Sequence, residues 1–101
     1  MYKVPLKAAN NALRGLTLVS IYRRGGTAVG REMAAILSTA EMVSFDIVKK
    51  VSEYFPRHQG DKLEEDGKNG RKLSNGYIAW MLWGGDEGWK WAKGIVEKER
   101  E

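Results

Sequence analysis

The chain contains no cysteine. Disulfides and thiolate metal sites are therefore excluded, and the protein can fold in a reducing compartment. It has a single histidine, His58. A metal site would have to join that ring to Asp61, Glu64 and Glu65, which lack the i, i+4 spacing and supporting shell of a good site. No metal and no cofactor are expected. His58 reads instead as a hydrogen-bonding group at a helix end, or as a solvated ring. No Ser-His-Asp set and no nucleophile motif is present. The stretch GKNGRK lacks the spacing and the Ser/Thr of a phosphate-binding P-loop. The protein is expected not to be an enzyme.

Long apolar runs are also missing. The longest, Tyr77 to Trp83, has seven residues, far short of the roughly 20 that a spanning helix needs. The N-terminal stretch MYKVPLKAANNALRG has basic residues but no apolar segment followed by a cleavage site, so no secretory signal is expected. These absences describe a soluble intracellular protein, or one packaged into a particle made there, with no membrane partner.

Residues 1–31 lack acids altogether. They hold Lys3, Lys7, Arg14, Arg23, Arg24 and Arg31, a charge of +6, while the other seventy residues hold eleven bases and thirteen acids, leaving +4 overall. A basic block of this kind fits a polyanionic partner, or an ordinary surface with uneven charge. The 101 residues suit one small domain. A chain this short needs a core dense in large side chains.

Periodicity supplies the helices. Residues 6–22, LKAANNALRGLTLVSIY, place Leu6, Ala9, Leu13 and Leu16 at helical spacing. The β-branched end of this segment also suits a strand, but the Ala and Asn content favours a helix ending at Gly25-Gly26. Thr27 can cap a second helix with Val29, Met33, Ile36, Leu37 and Ala40 as its apolar stripe. Met42 and Val43 form a short connection. Ser44 can cap a third helix, with Val43 and Val48 as a hydrophobic staple. Its buried face is Ile47, Val48, Val51, Tyr54 and Phe55, and Pro56 stops it. The pair over 27–55 suits a helical hairpin or a helix-turn-helix. The outward residues of its second member, Asp46, Lys49, Lys50, Ser52 and Glu53, mix signs and make a poor base-reading helix. Residues 56–75 break all periodicity. Ser74 or Asn75 can start a short helix through Trp83, and Asp86 can cap a last one with Trp89, Ala92, Ile95 and Val96 inward. The expected fold is all-α: a compact single domain of four to five short helices, with a core at about 6–55 and 75–96. Residues 56–74 form an exposed loop, and 97–101 a frayed tail.

Four tryptophans, Trp80, Trp83, Trp89 and Trp91, crowd the helix–GG–helix segment. Each can bury roughly 150–250 Å², so a structural hub closing the core is the simplest account. A stacking platform for bases has Lys90 and Lys93 nearby, opposed by Asp86, Glu87 and Glu97. A membrane foot wants no such acids.

The stretch YRRGGTAVGR can hold an anion. Gly25 and Gly26 permit close backbone approach, Thr27 opens a helix whose free N–H groups attract phosphate, and Arg23, Arg24 and Arg31 add charged donors. Lys3 and Lys7 extend the basic set. The competing reading is a capped helix corner with solvated arginines.

Three motifs, RRGGTAVG (23–30), FPRHQGDK (55–62) and SNGYIAWMLWGGDEGWKWA (74–92), occur in this order. Together they resemble a domain of bacteriophage and prophage proteins with GRGGTxVG-, SFFxRH- and GxIAWLLWGGDxGxxWA-like elements. The likeness covers roughly residues 14–92, and its Trp-rich element is the specific one. Departures are the more apolar first helix and the segment at 63–73. The resemblance implies a viral origin, a place near virion-associated proteins and a non-catalytic role. The partner is then nucleic acid or a phage structural protein, with self-association into a homo-oligomer a further option. The setting is the cytoplasm of an infected bacterial host, or the virion.

Overall fold

A computed structural model describes residues 1–59 and 74–100. Its longest helix, α1 (Leu6–Tyr22), starts after Pro5, whose φ of −61° suits a helix entry. The buried face of α1 is Ala8, Ala12, Gly15 and Leu18, not the leucine stripe. Leu6 is 75% and Leu13 55% exposed. The reason is steric. α1 lies at the centre and packs against α2 (Ala28–Thr39), α4 (Asn75–Leu82) and α5 (Gly85–Glu99). Small side chains let their backbones approach; a Cβ at Gly15 would fall 2.6 Å from the Leu82 backbone nitrogen.

α1 ends on Arg23, a non-glycine residue in the left-handed region (φ 54°), whose N–H donates to Val19 O at 2.7 Å. The helix therefore stops two residues before the glycine pair. That conformation costs roughly 1–2 kcal/mol for a residue with a Cβ. The glycines serve a different need: a Cβ at Gly25 would lie 2.7 Å from Ile78 Cβ.

Thr27, Ser44 and Ser74 cap α2, α3 (Phe45–Tyr54) and α4. Each side-chain oxygen accepts the N–H three residues on, from Gly30, Ile47 and Tyr77. The α2 stripe is shifted from the expected one: Gly30, Met33, Ala34 and Leu37 are buried while Val29 is 63% exposed. Val29 stands in the first turn of α2. Met42–Val43 is more than a connection. It forms a strand, β2, antiparallel to β1 (Tyr2–Lys3), with Tyr2 opposite Val43 and Lys3 opposite Met42. This ladder brings Val4 into the core beside Val43 and Val48. α3 ends at Tyr54, before Pro56, as expected, and the chain continues as a 3₁₀ turn over 55–59, where the missing N–H of Pro is tolerated. The expected exposed loop lies largely outside the described residues.

α2 and α3 do not pack as a hairpin. α2 packs on α1 and α4, whereas α3 packs on α5. Gly84 (φ 106°) and Gly85 (φ 65°) reverse the chain between α4 and α5, a conformation that favours glycine. Gly84, not Asp86, is the N-cap of α5. Asn11 of α1 donates from Nδ2 to Gly84 O (2.9 Å) and Glu87 Oε1 (2.7 Å), fastening the turn. α5 remains helical through Glu99, where the expected frayed tail lies. There Glu99 Oε2 accepts from the Tyr2 hydroxyl at 2.9 Å. That bond, then desolvation and the Glu99 charge, raises the Tyr2 phenol above its ordinary 10.0. The result is an all-α domain, with five helices and one short two-stranded ladder among the described residues. Among the described residues, no helix is long and apolar enough to cross a membrane.

Two glycines test this packing. Gly15→Ala forces a methyl into the α4 backbone and is expected to destabilise by about 1–3 kcal/mol or more. Gly94 has nothing within 4 Å of an added Cβ, so Gly94→Ala in α5 should stabilise by about 0.5–1 kcal/mol. Urea denaturation of both variants measures this; equal effects would mean that α1 and α4 are not in close contact.

Candidate functional site: an arginine corner beside an aromatic cleft

The turn between α1 and α2 gathers three arginines. Arg24 Nη1 donates to Asn75 Oδ1 at the start of α4, and its guanidinium sits 5.3 Å from the Tyr22 ring centroid. Arg31 reaches back from the first turn of α2, and its Nη1 donates to Gly26 O at 2.9 Å. Arg23 is exposed at the cap itself. These contacts hold the Arg24 and Arg31 guanidinium groups at the corner. At the end of α2, Thr27 Oγ1 accepts from Gly30 N and Thr27 O accepts from Arg31 N. The N–H groups of Ala28 and Val29 precede these bonds and belong to the open end of the helix.

Lys3 and Lys7 do not join this corner. Lys7 stands at the start of α1 and Arg23 just past its end, about 24 Å apart at 1.5 Å per residue. Lys7 instead borders a hollow with Asp86, Glu87 and Lys90. The basic N-terminal block is thus two surfaces. Arg23, Arg24, Gly25, Gly26, Thr27 and Arg31 share one of them.

Beside the corner lies a cleft of about 570 Å³. One wall is Gly25, Gly26, Thr27 and Gly30; the other is Tyr54, His58 and Trp83. These three rings form a column. Tyr54 stacks on Trp83 (4.6 Å, 7°) and on His58 (4.3 Å, 13°). His58 is four residues past Tyr54, so the 3₁₀ turn continues the α3 face and brings both rings together. Trp83, at the C-cap of α4, closes the column from the far side. The sequence alone suggests helix-end hydrogen bonding or solvation for His58 and a hub role for Trp83. The overlooked signal was the i, i+4 spacing of Tyr54 and His58.

The tryptophans therefore divide. Trp80 is 3% exposed and packs edge-on against Phe55 (4.7 Å, 77°) and Trp89 (5.8 Å, 86°). Trp89 stacks on Phe55 at 5.4 Å and 12°. The Trp80 indole N–H is answered by Asp86 Oδ1 at 2.9 Å, which explains why Asp86 is not free to cap α5. Trp91 is half-buried against the same core. Only Trp83 lines the cleft. Asp61, Glu64 and Glu65, which a metal site on His58 would need, lie outside the described residues. The chemistry on offer is ring surface, apolar contact and N–H donors.

The stack and the core should separate in stability. His58→Ala removes the outer ring of a half-buried column and is expected to cost about 1 kcal/mol. Phe55→Ala empties a fully buried site and should cost about 3–5 kcal/mol. Equal losses in chemical denaturation would make the column part of the core rather than a cleft wall.

Comparisons with protein-family models, curated proteins and solved structures give no match.

Proposed function

We propose that this domain is a non-enzymatic nucleic-acid-binding accessory protein that grips phosphates at the Arg23/Arg24/Arg31 corner. One observation carries the reading: the Arg24 and Arg31 guanidinium groups meet the N-terminal end of α2 at a single corner, with Arg23 exposed at the adjoining cap. Guanidinium forks and helix N-termini both suit phosphate oxygens. Gly25, Gly26 and Thr27 supply a backbone without bulk there. The reading favours backbone contact over base reading in a duplex. α3 exposes Asp46 and Glu53 beside Lys49 and Lys50, and α2 and α3 pack on different partners. The resemblance to a phage domain suggests the setting, an infected bacterial cell or a virion.

Fluorescence anisotropy with labelled single- and double-stranded DNA and RNA tests this across a salt series. Affinity should fall with salt, and the Arg23→Ala/Arg24→Ala/Arg31→Ala variant should flatten the slope by about 0.7 per lost contact on a single strand. The Lys3→Ala/Lys7→Ala variant should change it far less. Unchanged affinity in the arginine variant would sink the proposal.

A second reading, a virion or assembly protein, draws on the outer face of α1. Leu6, Leu13 and Ile21 recur along it, 75%, 55% and 65% exposed. An apolar stripe of this kind suits a protein partner. Association through it should survive high salt and be lost in Leu13→Glu; pull-down from phage-infected lysate at two salt concentrations separates the readings.

A further inference from the structure

The arginine corner explains phosphate contact but leaves the neighbouring cleft without a role. Its volume, about 570 Å³, lies within the roughly 300–1,000 Å³ typical of small-ligand sites. Two other hollows on the surface differ in charge. One mixes Glu53 and Glu97 with Arg57, Lys93 and Arg100, and the other mixes Asp86 and Glu87 with Lys7, Lys90 and Lys93. Among the described residues, the lining of the cleft beside α2 has no acidic side chain.

Its two walls differ in kind. The α2 side is glycine backbone, which leaves the space free of side chains. The opposite side is the His58–Tyr54–Trp83 column, whose rings are parallel to within 13°. The Trp83 indole nitrogen lies at the junction, 3.5 Å from the position of a Cβ on Gly30. It brings an N–H donor to the same edge as the open end of α2. Asn75 also lines the cleft, and with its Oδ1 turned to Arg24 its amide nitrogen is the remaining polar group. A flat, aromatic ligand with acceptor edges and an attached anion satisfies all of these features. Parallel rings favour planar π systems, and the edge donors favour carbonyl or ring-nitrogen acceptors.

We infer that the cleft takes one nucleotide unit, with its base against the His58–Tyr54–Trp83 column and its phosphate at the start of α2 beside Arg31. The inference rests on the nucleic-acid reading above and extends it from phosphate to base. The unit is a nucleotide of a single strand or a free nucleotide, since both present a base and a phosphate. A paired base is excluded, because its edge and both faces are already occupied in a duplex.

The test compares an oligothymidylate with an abasic oligomer of equal length, at one salt concentration, with thymidine monophosphate as competitor. Phosphate number is held constant, so the arginine corner alone predicts equal affinity. The cleft predicts that the base-bearing strand binds about tenfold tighter, the scale of one stacked base. It also predicts that His58→Ala brings the two strands close to parity while leaving the abasic affinity unchanged. Competition by micromolar monophosphate would identify a free nucleotide as the ligand, and competition only by the strand would identify a single strand; both support the cleft. Equal affinity of the two strands in the wild-type protein overturns the inference and leaves the corner standing. Binding of the monophosphate without either strand supports the cleft and removes the nucleic-acid reading. No binding of any of the three overturns both.

Discussion

The contact between Gly15 of α1 and the Leu82 backbone of α4 governs the rest of the fold. With under 3 Å available to a Cβ, any larger residue would push α4 away. Ala8 and Ala12 continue the same small face toward the GG turn, where Ala8 Cβ comes within 4 Å of positions a Cβ would take on Gly84 and Gly88. The helices thus meet through backbone rather than through large side chains. The bulky residues are displaced to the other end of the core, where α3 and α5 meet around Phe55, Trp80 and Trp89. A short chain can bury little surface in total, and this arrangement uses it economically: one half packs by proximity, the other by aromatic volume.

That close contact also fixes the site. Because α4 lies tight on α1, Gly25 and Gly26 must thread past Ile78 and Leu82, and the α1–α2 turn is pressed into the narrow space at the head of α4. The arginines flanking those glycines are held there by Asn75 and by the Gly26 carbonyl. At the other end of α4, the GG reversal fastened by Asn11 sets the direction in which Trp83 leaves the helix. Corner and cleft wall are therefore both consequences of where α4 sits. In the folded protein they form a preorganised surface, and a ligand binding there has little ordering left to impose.

Local chemistry was legible in the sequence and long-range packing was not. Thr27, Ser44 and Ser74 were identified as caps because a short side-chain oxygen before an apolar period acts on its own helix, with no help from the rest of the chain. The span of α1 follows from the helical period of residues 6–22, although the helix stops at Arg23 and not at Gly25-Gly26. Arg23 as the left-handed cap was not, because local preference favours glycine, and the tertiary demand on Gly25 against Ile78 overrode it. Asp86 looked like a cap and became an acceptor for the Trp80 indole. The β1–β2 ladder joins positions some forty residues apart, beyond the reach of any periodicity. For the candidate site, charge and glycine content mark the corner residues that the α1–α2 turn brings together. Lys3 and Lys7 were grouped with them only because they are near in sequence, whereas a rigid helix separates neighbours in sequence by its own length.

The aromatic column was the hardest part to foresee, since its rings come from α3, a 3₁₀ turn and the end of α4. Composition indicated that tryptophans would dominate, but not that they would split into two groups with different tasks. Phe55 is the divider. It takes the inner position at the end of α3, drawing Trp80 and Trp89 into the core. Tyr54 is the residue before it, and a step of one along a helix turns the side chain by about 100°. Tyr54 therefore faces the other way, toward Trp83 and the glycine wall. The dipeptide Tyr54-Phe55 thus assigns each tryptophan near it to structure or to surface. His58 follows Tyr54 because it lies one helical turn further on the same face. A core residue and a cleft residue adjacent in sequence make the site as stable as the core that supports it.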